Sequence, residues 1–158
     1  MEKIALLSLE KHQGPYELWP RLTRLYANGE DTQKKLPGFI IEAQYKCEEG
    51  YLVITSQDCP FEESNDFLLL NHAFEIVAKN GIGVPYSSFL INNHWPISEK
   101  AIRIHYDEEL FYTLNIEKAL FKRGPKLVAK RFKVFATDDQ ALASLADLRE
   151  RLTKISMP

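Results

Sequence analysis

Residues 64–81 read Ser64-Asn65-Asp66-Phe67-Leu68-Leu69-Leu70-Asn71-His72-Ala73-Phe74-Glu75-Ile76-Val77-Ala78-Lys79-Asn80-Gly81, and the assignment of this stretch decides the fold. Ser64 or Asn65 can cap a helix, Asp66 falls in its first turn, Lys79 in its last, and Asn80-Gly81 offers a left-handed stop. Phe67, Leu70, Phe74, Val77 and Ala78 then share one face at helical spacing. Leu68, Leu69 and Ile76 lie off that face, so the expected helix over 65–79 is buried on more than one side.

Upstream, the pattern changes period. Phe39, Ile41, Ala43, Tyr45 and Cys47 alternate with Ile40, Glu42, Gln44 and Lys46, which predicts a half-buried strand over 39–47. Tyr51-Leu52-Val53-Ile54-Thr55 is rich in β-formers and predicts its hairpin partner over 51–56, turning at Glu48-Glu49-Gly50 with Cys47 facing Tyr51. In that ribbon Cys59 lies near Phe39, about 26 Å from Cys47 at the rise of a strand, so two reduced thiols are expected rather than a disulfide. Before the hairpin, Pro20 at a first-turn position and Asn28-Gly29 at the end predict a short helix. Ile4–Leu9 suits a strand.

Downstream, strands are expected at 86–91, 101–106 and 127–136. Asp107-Glu108-Glu109 in front and Lys122-Arg123-Gly124-Pro125 behind predict a helix over 107–123, with a returning strand at Phe111-Tyr112-Thr113 and only a short helix after Asn115 as the alternative. Thr137-Asp138-Asp139-Gln140 has the spacing of a capping box. Leu142, Leu145, Leu148, Leu152 and Ile155 then recur every three or four residues, which predicts a C-terminal amphipathic helix. Strands and helices mix without βαβ alternation, repeat or long linker. The expected fold is therefore α+β, one domain over residues 1–158, an antiparallel or mixed sheet packed by about three to four helices.

Composition narrows the function. The 158 residues are 45% hydrophobic and 27% charged, which excludes a disordered chain. Two cysteines are too few for a disulfide framework, the apolar run after Lys3 is too short for a signal peptide, and no stretch is long enough to span a bilayer. A cytoplasmic address is expected.

Catalytic motifs are missing: there is no G-x-S-x-G, P-loop, H-E-x-x-H or C-x-x-C, and Gly81-Ile82-Gly83 lacks a third glycine. Glu42-Ala43-Gln44-Tyr45-Lys46 has an amide where a nuclease triplet needs an acid. His12, His72, His94 and His105 are scattered, so no metal or cofactor site is expected. His94 or His105 as an acid/base defines the enzymatic alternative.

Charge is the most informative feature. Residues 41–80 hold eight carboxylates against two lysines, whereas residues 118–133 hold seven cations and no acid. Two oppositely charged faces are expected, each able to steer a partner. In the acidic block, Asp58, Glu62, Glu63 and Asp66 surround Phe61, an aromatic anchor among carboxylates. Asn93, His94 and Trp95, read as a turn before Pro96, extend the candidate partner-binding set. The expected function is a non-enzymatic protein-binding module, of inhibitor or immunity type, recognising a basic protein. The second alternative is nucleic-acid binding through 118–133, with Phe121, Phe132 and Phe135 for stacking, which the chain's pI of 6.1 disfavours.

Overall fold

The computed structural model describes residues 1–57, 64–83, 90–107, 109–119 and 124–156. The chain first forms β1 (Glu2–Lys3), β2 (Leu7–Leu9), a 3-10 turn (Tyr16–Leu18), β3 (Leu22–Ala27) and β4 (Glu30–Pro37). Then come β5 (Ile40–Cys47), β6 (Gly50–Ser56), β7 (Ser64–Leu70) and β8 (Ile76–Gly83). The last elements are β9 (Asn93–Ser98), β10 (Ala101–His105), β11 (Phe111–Lys118), β12 (Pro125–Phe132) and α1 (Asp139–Ser156).

The strands pair antiparallel in three sheets, ordered β1-β5-β6-β7-β8, β12-β11-β10-β9 and β2-β3-β4. The first of these is central. Its inner face (Tyr45, Leu52, Ile54, Phe67, Leu69) meets Ile102, Ile104, Leu114, Ile116 and Leu127 of the second sheet. Its outer face (Val53, Leu68, Leu70) meets Leu7, Leu25 and Leu36 of the third. The outer face of the second sheet carries α1, through Trp95, Phe111, Ala141 and Leu145. The central and second sheets also touch edge to edge, where the Asn80 amide donates to the Leu127 carbonyl at 3.0 Å.

This architecture corrects the expected fold. Antiparallel sheets dominate, and α1 is the only α-helix among the described residues, in place of three or four. The helix expected over 65–79 is the β7–β8 hairpin. Phe67 and Leu69 point to one core, Leu68 and Leu70 to the other, and all four are fully buried. A strand sealed on both faces has no polar alternation, so its apolar run cannot be told from a buried helix by period. The reversal lies at Asn71-Phe74, where the Asn71 side-chain oxygen accepts from the Ala73 and Glu75 N–H groups, both at 2.9 Å. The helix expected over 107–123 is corrected to β11, whose Phe111, Leu114 and Ile116 are buried; the strand of the alternative forms, but it runs on to Lys118 where that alternative places a short helix after Asn115.

The helix expected between Pro20 and Asn28 is likewise corrected, to β3. Asn28 (φ 49°) and Gly29 (φ 82°) are both left-handed, as a two-residue hairpin turn requires, so this Asn-Gly is a β signal. The 39–56 hairpin forms with its register moved by one: Cys47 faces Gly50, and Glu48-Glu49 alone make the turn. A side chain at Gly50 would lie 2.2 Å from the Leu70 carbonyl, at φ 135°. Cys47 is a buried free thiol. The strand expected at 86–91 falls mostly outside the described residues.

Candidate functional site

Of the expected acidic site, only Asp66 lies among the described residues. Asp58, Phe61, Glu62 and Glu63 lie outside them. Asp66 stands on β7 and pairs with Lys79 of β8 at 3.0 Å. Glu48 and Glu49 meet Lys100 at 3.4 and 3.1 Å, and Glu75 meets Lys34 at 2.9 Å, which holds its carboxyl below the usual range. Glu42 accepts from the Ser56 hydroxyl at 2.6 Å. Each described carboxylate of the block thus has a partner, and lysines intermingle with acids rather than facing them from another surface.

The second expected cluster separates. Asn93, His94 and Trp95 belong to β9, not to a turn, and successive side chains of a strand point to opposite faces. Asn93 is exposed, and Trp95 is buried against Phe111. His94 faces the central sheet, its Nδ1 2.5 Å from the Tyr45 hydroxyl. Burial, then the charge of Lys3, pushes the His94 pKa down to about 4, and burial pushes Tyr45 up to about 12. Near pH 7 the imidazole is neutral and shares a hydrogen bond with the phenolic hydroxyl. A group so depressed is a weak general base at neutral pH.

His105 is fully buried on β10 beneath α1, stacked on Phe111 at 4.1 Å. Its Nδ1 lies 2.6 Å from Ser144 Oγ and 2.9 Å from the Asn92 amide nitrogen. An amide N–H only donates, so Nδ1 is the accepting nitrogen. The Ser144–His105 distance is that of a nucleophile and its base, but both side chains are sealed between helix and sheet. Their contact works as a fastener. Beside it, Arg103 places its guanidinium 3.4 Å over the Phe132 ring and bonds Asp138 at 2.6 Å. Asp138, rather than Thr137, caps α1, its second oxygen accepting from the Ala141 N–H at 3.2 Å. Arg151 reaches the Asn92 side-chain oxygen from the far end of the helix.

The basic segment is partly neutralised. Lys126 and Lys130 of β12 pair with Glu117 of β11 at 3.1 and 3.5 Å. Arg103 covers one face of Phe132, and Phe121 lies outside the described residues. Arg131 and Lys133 are exposed and make no ion pair among the described residues.

These two cations lead to the feature that sequence reasoning missed, a groove between α1 and the end of β12. It encloses about 730 Å³ over a floor of Phe132, Val134, Leu142 and Leu145, with Arg131, Lys133, Arg149 and Glu109 around it. Phe135 stands at the groove, 62% exposed and edge-on to Phe132 at 6.1 Å. A second hollow of about 310 Å³ continues the track past Leu145, Leu148 and Leu152. The apolar stripe of α1 supplied the available signal: Leu145 is 7% exposed, but Leu142 is 41% and Ile155 80% exposed. Ala141 and Leu145 near its start are thus buried, Leu142 beside them is partly open, and Leu152 and Ile155 near its end are open to solvent.

A third hollow, of about 510 Å³, lies on the opposite side of the central sheet, beside β2. His12, Trp19 and Phe39 form its aromatic wall, with Tyr16 packed on Trp19 and Phe39 behind it and ring centroids 5.0–5.6 Å apart.

Fold and surface together define a physical class: among the described residues, stacked antiparallel sheets bearing one α-helix whose apolar stripe is only half covered. Comparison with protein-family models, with curated proteins and with solved structures yields no match to this chain.

Proposed function

We propose that this chain is a non-enzymatic protein-binding module that docks a partner segment in the groove between α1 and β12. The observation that carries this reading is the exposure gradient along one helical stripe, from buried Leu145 to Ile155 at 80% exposure. Leu142 and Ile155 are thirteen residues apart, about 20 Å along a helix axis. A strip of that length suits a peptide segment better than a compact small molecule. Arg131, Lys133 and Arg149 against the single Glu109 favour a partner whose apolar residues are flanked by carboxylates. An inhibitor-type role stays within this class, with the partner's charge set by the groove instead of by the acidic block.

No helix among the described residues is long and apolar enough to cross a membrane. A cytoplasmic module is the reading we adopt. The test is affinity capture by the full chain from its native cell, compared with a Leu142→Glu/Ile155→Glu variant of unchanged circular dichroism. The variant is expected to lose a protein that wild type retains. Identical capture by both forms would remove the groove from the argument.

A further inference from the structure

We infer that the outer edge of β2 is a strand-addition site for an extended, uncharged peptide segment of another protein, independent of the α1 groove. The backbone of β2 shows how the edge is built. Leu6 accepts from the Asn28 N–H at 2.9 Å, and the Glu10 N–H donates to the Arg24 carbonyl at 3.0 Å. With the Ser8–Tyr26 pair between them, Leu6, Ser8 and Glu10 direct their backbone groups to β3. Leu7 and Leu9 therefore turn theirs outward.

At Leu7 that direction is already occupied in an instructive way. The Leu7 N–H donates to Gln44 Oε1 at 2.8 Å, and Gln44 Nε2 donates back to the Leu7 carbonyl at 2.9 Å. A primary amide carries the same acceptor and donor as a peptide group, so Gln44 stands where one residue of a neighbouring strand would stand. At Leu9 no strand pairs with the edge among the described residues. The other wall of the opening is β5. β1 pairs only with its Lys46 and Tyr45, and Ile4 donates to the Gln44 carbonyl, after which the two chains diverge. The hollow of about 510 Å³ fills this fork, with Leu9, Ile41, Trp19 and Phe39 among its lining.

Other strands at the margins of these sheets carry protection that β2 lacks. β4 presents Glu30, Asp31, Lys34 and Lys35, and β9 contains Pro96, the charges and proline that discourage pairing at an edge. β2 reads Leu7-Ser8-Leu9. The aromatic wall is also preformed: Trp19 donates to the Gly14 carbonyl at 3.2 Å, and its ring lies 5.0 Å from Phe39. Little ordering remains to be done on binding. Glu10 and Lys11 beside the opening carry opposite charges, which selects for a neutral segment. Backbone bonds to Leu9 supply register, and alternate side chains of the added strand meet the aromatic wall.

The experiment uses the full chain, isotopically labelled, with a blocked heptapeptide of alternating threonine and valine. Its control is the same peptide N-methylated at every second amide. Hydrogen exchange of the Leu9 amide, read by NMR, is expected to slow at least tenfold with the first peptide and to stay unchanged with the second. Leu9→Pro, which removes the outward donor, is expected to abolish binding; should that variant not fold, the N-methylated peptide tests the same bond from the other side. Unaltered exchange at Leu9, or equal protection by both peptides, overturns the proposal. Protection that grows with protein concentration alone also overturns it, because a second copy of the chain would then be the occupant.

Discussion

β7 and α1 are both dense in leucine, yet they meet opposite fates. Phe67, Leu68, Leu69 and Leu70 of β7 are fully buried, because the central sheet has another sheet on each side. On α1, Ala141 and Leu145 are buried while Leu142 and Ile155 remain open, because among the described residues the helix is the outermost layer and has a sheet on one side only. Apolar residues in a sandwiched strand are accounted for by stability. Apolar residues on an outer helix exceed what its own fold covers, and that surplus is where binding is to be sought.

The largest test of this contrast is Leu69→Ala. Removing a side chain fully buried between the central and second sheets is expected to cost about 2–5 kcal/mol. Denaturant unfolding with an unchanged slope is the measurement. A loss comparable to that of a surface substitution would show that β7 is not the sealed element described here.

The core between the sheets also has a titrating boundary at His94. Its folded pKa of about 4 lies below the ordinary value of 6.5. Between these values the unfolded chain binds a proton that the folded chain refuses, so stability is present above pH 6.5 and is lost as pH falls toward 4. The shift corresponds to at most about 3 kcal/mol, lowered by the solvent that reaches this half-buried ring. His94→Gln keeps a hydrogen-bond partner for the Tyr45 hydroxyl and is expected to flatten that slope. Equal slopes for both proteins would assign the acid sensitivity elsewhere.

The same contrast explains what could be read from the chain beforehand. The 39–56 hairpin was legible because β5 is half-buried and alternates, and α1 was legible because one face of it is polar. β7 was not legible, since cover on both faces erases the period that separates strand from helix. Asn28-Gly29 is different. It was readable as a hairpin turn, and a short apolar segment ending in Asn-Gly suits either state until its partner strand is known. The ion pairs were hidden by distance along the chain: Glu49 meets Lys100 fifty-one residues on, and Lys34 meets Glu75 forty-one residues on. Block charges summed along the sequence therefore do not foretell the ion pairs that the described residues form. The groove was hidden for a related reason. The stripe of α1 shows which residues are apolar, but only the packed sheet shows where its cover stops.

Asp138→Ala tests how α1 is fastened. It removes the helix cap and the partner of Arg103 together, at an expected cost of about 1–2 kcal/mol. If α1 is the separately held outer layer, amide exchange should quicken along 141–152 while β6 and β7 keep their protection. Uniform quickening across the chain would mean that helix and sheets open as one unit.

The smallest expected change in stability is the most telling. Ile155→Ala removes a side chain that is 80% exposed and should alter stability by no more than about 0.5 kcal/mol. Leu142, at 41% exposure, touches the groove floor, so Leu142→Ala should cost somewhat more but still far less than Leu69→Ala. If either α1 variant unfolds the chain as readily as the β7 variant, then the stripe is needed for folding and the surplus disappears. If both leave the fold intact, the exposed leucine and isoleucine have no structural duty that accounts for them, and a partner's apolar surface becomes the physical reason for their presence on an otherwise polar helix.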